Sequence, residues 1–140
     1  MIPIQKLTMN IEPKVPGELP PAILVSIKQA LEEDVASGDV TTDPIVSQDA
    51  QASWQIVAKQ SGVVAGLGVA EAVFRMLDKD VRLNANVTEG SRVERGTILA
   101  ELSGSARAVL TAERTALNFL GRMSGIATLT RQFGGPGRPP

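Results

Sequence analysis

Arg114, Asn118, Gly121, Arg122 and Gly125 recur at spacings of three and four in the last third of the chain. In a helix, that spacing places side chains on a shared face. An arginine there could grip a carboxylate through its planar fork, so the stripe could bind an organic anion. Two glycines inside a helix cost roughly 1 kcal/mol each relative to alanine, which calls for a backbone or a ligand in close approach. A plainer account fits the same residues: Arg114 is a solvated helix charge and the glycines mark close helix packing. On spacing alone the plainer account is preferred.

Other candidates are weaker. Residues 88–100 read as turn, strand, turn, strand, the phrasing of barrel-sandwich domains that include biotinyl and lipoyl carriers. Those carriers present a lysine at a hairpin tip, but Lys59 lacks the flanking residues they use, so a structural sandwich without cofactor is expected. Asp34, Asp39 and Asp43 lie close in sequence, yet a divalent-cation loop needs a denser ligand set, and capping and turn chemistry accounts for them. Gly62, Gly66 and Gly68 are not followed by the Gly-Lys-Ser/Thr of a phosphate loop. With no Cys and no His, the chain has no thiol nucleophile, imidazole base, or thiolate or imidazole metal ligand. Fourteen basic and fifteen acidic residues give a formal charge of −1, which argues against a nucleic-acid or anionic-membrane surface. No apolar run approaches the roughly 18 residues of a membrane span, and the start MIPIQKLTMN is unlike a signal peptide, so a cytoplasmic location is expected.

The elements that must hold such a stripe follow from periodicity. Residues 1–20, rich in proline, read as an irregular leader. Pro20 and Pro21 set up a helix start, and Ile23, Ile27, Ala30 and Leu31 supply an apolar face until Ser37-Gly38. Alternation predicts strands over 51–60, 63–66 and within 80–104, with Ala106 to Leu110 as one more. Val69, Ala72, Val73, Met76 and Leu77 predict an intervening amphipathic helix. A long helix is expected over 111–132, capped by Thr111, with Glu113 in its first turn and Ala116, Leu120, Met123 and Ala127 facing inward. The tail Gly-Gly-Pro-Gly-Arg-Pro-Pro can bury no face and should be disordered. The residues alone give an α+β domain over 21–133 with one helix fit to contact an anion.

Three strings in order add a family resemblance. Leu31-Glu32-Glu33-Asp34 through Gly38-Asp39-Val40-Thr41-Thr42 is the first, and Gly62-Val63-Val64-Ala65-Gly66 with Ala70-Glu71-Ala72-Val73-Phe74 the second. Leu110-Thr111-Ala112-Glu113-Arg114-Thr115-Ala116-Leu117-Asn118-Phe119-Leu120, continuing to Ser124-Gly125-Ile126-Ala127-Thr128, is the longest. Over about residues 22–133 the chain resembles the N-terminal domain of quinolinate phosphoribosyltransferases, also called nicotinate-nucleotide pyrophosphorylases.

The resemblance implies an α/β sandwich that, in the family, accompanies a βα barrel and covers the open end of a dimer partner's barrel. It implies transfer of a phosphoribosyl group from phosphoribosyl pyrophosphate to quinolinate, with magnesium accompanying the pyrophosphate and nicotinate mononucleotide leading to NAD. It implies that Arg114 reaches across to the substrate carboxylates. The family's remaining basic groups and acidic metal ligands lie on the barrel, and residues 134–140 do not resemble its continuation. An enzyme fragment without turnover of its own is therefore expected. The alternatives are a molybdenum-associated paralogue of the same architecture, and a non-catalytic interaction or dimerisation module.

Overall fold

The computed structural model describes residues 19–36, 47 and 49–132. Residues 1–18 of the expected leader, the turn-rich stretch holding Asp39 and Asp43, and the tail expected to be disordered lie outside the described residues. Helix α1, Pro21–Ala36, begins with proline at its first position, where no amide proton is needed, and Pro20 O accepts from Ile23 N at 3.0 Å. Of its sixteen residues only Ile27 and Leu31 are buried, so α1 is held by two apolar anchors.

Strand β1, Gln51–Val57, pairs antiparallel with the longer β5, Ile98–Ser105, and β3, Arg82–Ala85, pairs on the other side of β5. The resulting sheet has the order β1-β5-β3. Trp54 sits opposite Leu102 and Ile56 opposite Ala100, all four buried, while Gln55 and Glu101 face outward opposite each other. Pairing slips between Ile56 and Val57, so Val57 meets Ile98. That irregularity explains the apolar residue that interrupts the polar face of β1 in the sequence. A second sheet is a short pair, β2, Gly62–Val63, with β4, Arg92–Val93.

Helix α2, Leu67–Leu77, and helix α3, Ala106–Gln132, pack on one another and close the core. Phe74 of α2 lies with Trp54, Leu102 and Val109 around one small cleft. Periodicity placed Met76 and Leu77 on the buried face of α2, but they are 39% and 43% exposed, and Ala70 and Phe74 are buried instead. The helix begins two residues before Val69, and it ends as Met76 and Leu77 pass beyond the packed surface.

Ala106 to Leu110 is not a strand. It forms the first turn and more of α3, since Ala106 and Val109 join Ala112, Ala116 and Leu120 in one buried stripe at helical spacing. Thr111 is therefore interior rather than a cap, and Glu113 lies beyond the first turn. The cap is Ser105, whose Oγ accepts from Ala108 N at 3.3 Å. Five residues rich in Ala and Val are ambiguous by pattern, and the packing partner decides.

Glu71 of α2 is half-buried, and desolvation holds its carboxyl above the usual value of 4.5 despite the opposing charge of Arg75. Below the unfolded value both states are protonated and no penalty exists; as pH rises through the raised folded value, ionisation increasingly opposes folding. Thermal melts should therefore show Glu71→Gln more stable than the parent at neutral pH, with the gap closing below about pH 4. An equal gap at both pH values would contradict this account.

Candidate functional site

Helix α3 carries the whole candidate stripe. Val109, Ala112, Ala116 and Leu120 point inward and are fully buried, whereas Arg114, Asn118, Arg122 and Gly125 are exposed and Gly121 is half-buried. At about 100° per residue, Arg114, Asn118 and Gly125 lie opposite the buried stripe. The structure thus brings these residues together as an outward ridge, turned away from the chain's own core.

Two polar attachments fix which residues form that ridge. On one flank, Ser124 Oγ accepts from Ala65 N and donates to Ala65 O, both at 3.2 Å. One turn later Thr128 Oγ1 accepts from Val63 N at 2.9 Å and donates to Ser124 O at 2.7 Å. The intervening Val64 bonds the other way, donating to Ser91 O at 3.0 Å and accepting from Gly90 N at 2.7 Å. Main-chain groups of residues 63–65 thus alternate between a loop and the hydroxyls of α3, which stand where a neighbouring strand would. The close approach needs Gly62, because a Cβ there would lie 2.9 Å from Thr128 Oγ1.

On the opposite flank, Thr115 Oγ1 donates to Asp34 Oδ2 of α1. Thr115 and Ser124 are the buried polar residues among the described residues, 1% and 4% exposed. Both are on α3, and both have partners. Further out, Glu89 receives Gly66 N on both carboxylate oxygens, at 3.2 and 3.0 Å, and Arg131 Nη2 donates to Gly90 O at 2.9 Å. Gly66 is the N-cap of α2 with φ 107°, a conformation that glycine adopts without strain. The carboxylate of Glu89 therefore sits at the positive end of α2, the place a phosphate would take in a glycine-loop site.

A concavity borders the ridge on each side. A groove of about 450 Å³ runs beside β2 and is lined by Gly62, Gly125, Ile126 and Leu129 among others. A smaller, polar pocket of about 200 Å³ lies between α1 and α3, with Glu33, Asp34, Thr115 and Asn118 in its wall. Arg122 lines both. Ile126 and Leu129 are 61% and 56% exposed, and a Cβ on Gly125 would touch none of the described residues within 4 Å. The close-packing account offered for the helix glycines therefore does not explain Gly125, whereas the approach of α3 does explain Gly62 of β2.

The weaker candidates are dispersed. Asp34 is engaged by Thr115, while Asp39 and Asp43 fall outside the described residues. Among the described residues no group of three or more His, Cys, Asp or Glu is placed to hold a metal ion. Lys59 is exposed in the link between β1 and β2. Spacing did not reveal the work of Ser124 and Thr128; the available signal was two hydroxyl residues four apart at the edge of an apolar stripe.

A sequence profile described as the quinolinate phosphoribosyl transferase N-terminal domain matches residues 39–124. A probable nicotinate-nucleotide pyrophosphorylase [carboxylating] of Synechocystis sp. is 41% identical over 118 residues, covering 82% of this chain and 39% of the relative. A chloroplastic nicotinate-nucleotide pyrophosphorylase [carboxylating] of rice, Oryza sativa subsp. japonica, is 35% identical over 138 residues, covering 94% of the chain and 37% of the relative. The crystal structure of NadC from Streptococcus pyogenes superposes with a TM-score of 0.74 at 41% identity, covering 81% of this chain and 41% of that one. The fold is that of an α/β N-terminal domain, and the chain belongs to the quinolinate phosphoribosyltransferase family. It spans about two fifths of the length of these relatives.

The two glycines should respond in opposite directions in urea unfolding of the chain. Gly62→Ala forces a side chain onto Thr128 and should lose about 1–3 kcal/mol. Gly125→Ala meets open space and should gain up to about 1 kcal/mol from helix propensity. A loss of stability in the second variant would show that Gly125 serves the chain's own packing.

Proposed function

We propose that this chain is the anion-recognising part of a quinolinate phosphoribosyltransferase and that Arg114 grips a substrate carboxylate inside an assembly with a βα barrel. The observation that carries this reading is the direction of Arg114: it leaves α3 opposite the buried stripe, within the longest family string. Quinolinate is a dicarboxylate, and a guanidinium can bind one carboxylate through two parallel hydrogen bonds at fixed orientation. A barrel seated on the ridge would exclude water and strengthen that pairing. The ridge offers an apolar border for such a neighbour in Ile126 and Leu129, with Gly125 permitting close approach.

The names of the Synechocystis and rice relatives describe the reverse direction, attack of pyrophosphate on nicotinate nucleotide with carboxylation. Read forward, the C–N bond to phosphoribose forms as pyrophosphate leaves, and carbon dioxide is lost from the pyridine ring. The reaction requires groups for the diphosphate and its magnesium. The described residues offer no group of three or more His, Cys, Asp or Glu placed to hold that ion. The proposed role here is to bind and orient the pyridine dicarboxylate. The partners we propose are quinolinate, phosphoribosyl pyrophosphate and a second subunit in a homodimer or larger homo-oligomer. The setting we propose is cytoplasmic, in keeping with a chain that carries no cysteine. None of the described helices is long and apolar enough to cross a membrane.

Turnover is testable by mixing the purified chain with the separately produced part of the Streptococcus pyogenes relative that this chain does not cover. Nicotinate mononucleotide should appear only when both are present. Arg114→Ala in this chain should lower the rate by on the order of 10²-fold, as loss of one oriented donor does at other sites. Equal rates for the parent chain and the Arg114→Ala variant would remove the role assigned to the arginine. Product from the chain alone would remove the need for a barrel.

A further inference from the structure

We propose that Asp34 is a positioning residue for Arg114, acting through Thr115. The inference rests on the reading of Arg114 as a substrate contact. The inward stripe of α3 near Arg114 is Ala112 and Ala116, both fully buried. Such small side chains allow close approach but interlock weakly, so they set the rotation of the helix less firmly than larger residues would. Thr115, the next residue after Arg114, is 1% exposed, and its hydroxyl is directed to Asp34 across the α1–α3 contact. The attachments at Ser124 and Thr128 lie ten and fourteen residues beyond Arg114, about 15 and 21 Å away by helical rise. They hold the opposite flank.

Asp34 is also a locally costly choice. It stands in the last turn of α1, directly after Glu32 and Glu33, and that turn contains no basic residue. Carboxylates are unfavourable at the negative end of a helix dipole, so local preference would exclude a third acid there. A residue that breaks the local rule points to a tertiary demand. Asp34 meets it as the polar complement to Ile27 and Leu31, pinning the end of α1 beside the Arg114–Asn118–Arg122 ridge. The polar pocket of about 200 Å³ at this junction is walled by Asp34, Thr115, Asn118 and Arg122, so the pair also shapes the surface along the ridge that Arg114 begins.

The test uses the full 140-residue chain mixed with the part of the Streptococcus pyogenes relative that it does not cover, with quinolinate as the titrant and the chain's backbone amide resonances beside Arg114 as the reporter. Measurements are made where circular dichroism shows each variant folded. Thr115→Val, nearly isosteric but without the donor, should weaken the response by about tenfold, below the hundredfold that a misplacement of roughly 1 Å can cost at a reacting centre. Thr115→Ser should restore it, and Asp34→Ala should match Thr115→Val. If Thr115→Val does not fold, the Thr115→Ser and Asp34→Ala variants carry the comparison: unchanged affinity in Asp34→Ala overturns the inference. Unchanged affinity in Thr115→Val, with the response abolished in Arg114→Ala, overturns positioning and leaves the role of Arg114 intact. No response in the parent mixture, or the same response with Arg114→Ala, overturns the substrate reading and the inference with it.

Discussion

The attachment of α3 to the main chain of residues 63–65 is the constraint on which the rest of the molecule depends. A short strand packed between a loop and a helix would ordinarily leave amide and carbonyl groups without partners on the helix side, at a cost of about 1–3 kcal/mol for each buried group. Ser124 and Thr128 remove that cost, with hydroxyls four residues apart meeting main-chain groups two residues apart. One helical turn rises about 5.4 Å and two strand residues span about 6.6 Å, so the two repeats nearly coincide. This match lets a helix complete a strand edge.

Fixing α3 in this way decides the character of its other face. With Ser124 and Thr128 toward β2, and Val109, Ala112, Ala116 and Leu120 toward the core, Arg114, Asn118 and Gly125 have no direction left but outward. Apolar residues on that side, Ile126 and Leu129, are exposed as a consequence. The family string that ends α3 therefore divides by function along the helix circumference: its hydroxyls hold the domain together, while its glycine and isoleucine face away from it.

Small residues run through both faces for different physical reasons. On the inward side alanines bring α3 within close packing distance of its neighbours, and directional hydrogen bonds then specify its rotation. Gly62 is dictated by the approach of Thr128, whereas Gly125 meets nothing among the described residues and weakens the helix that contains it. That contrast separates what the domain needs to fold from what it offers to a neighbour.

The sequence by itself determined the α+β class, the three helices, the alternating strands, the location of the candidate stripe on α3 and, through three ordered strings, the family. These features are written in local periodicity and in residue order. Tertiary structure decided the rest. Ala106 to Leu110 became helix because the stripe begun by Ala106 and Val109 packs on the sheet, and Ser105 rather than Thr111 caps it. Met76 and Leu77 were left exposed because α2 outruns the surface it covers. Asp34, read as capping chemistry, became the partner of a threonine 81 residues away. Such pairings involve residues distant in sequence, and no local pattern encodes them; only the packed chain shows which hydroxyl meets which carboxylate, and which of two glycines is filled by a neighbour.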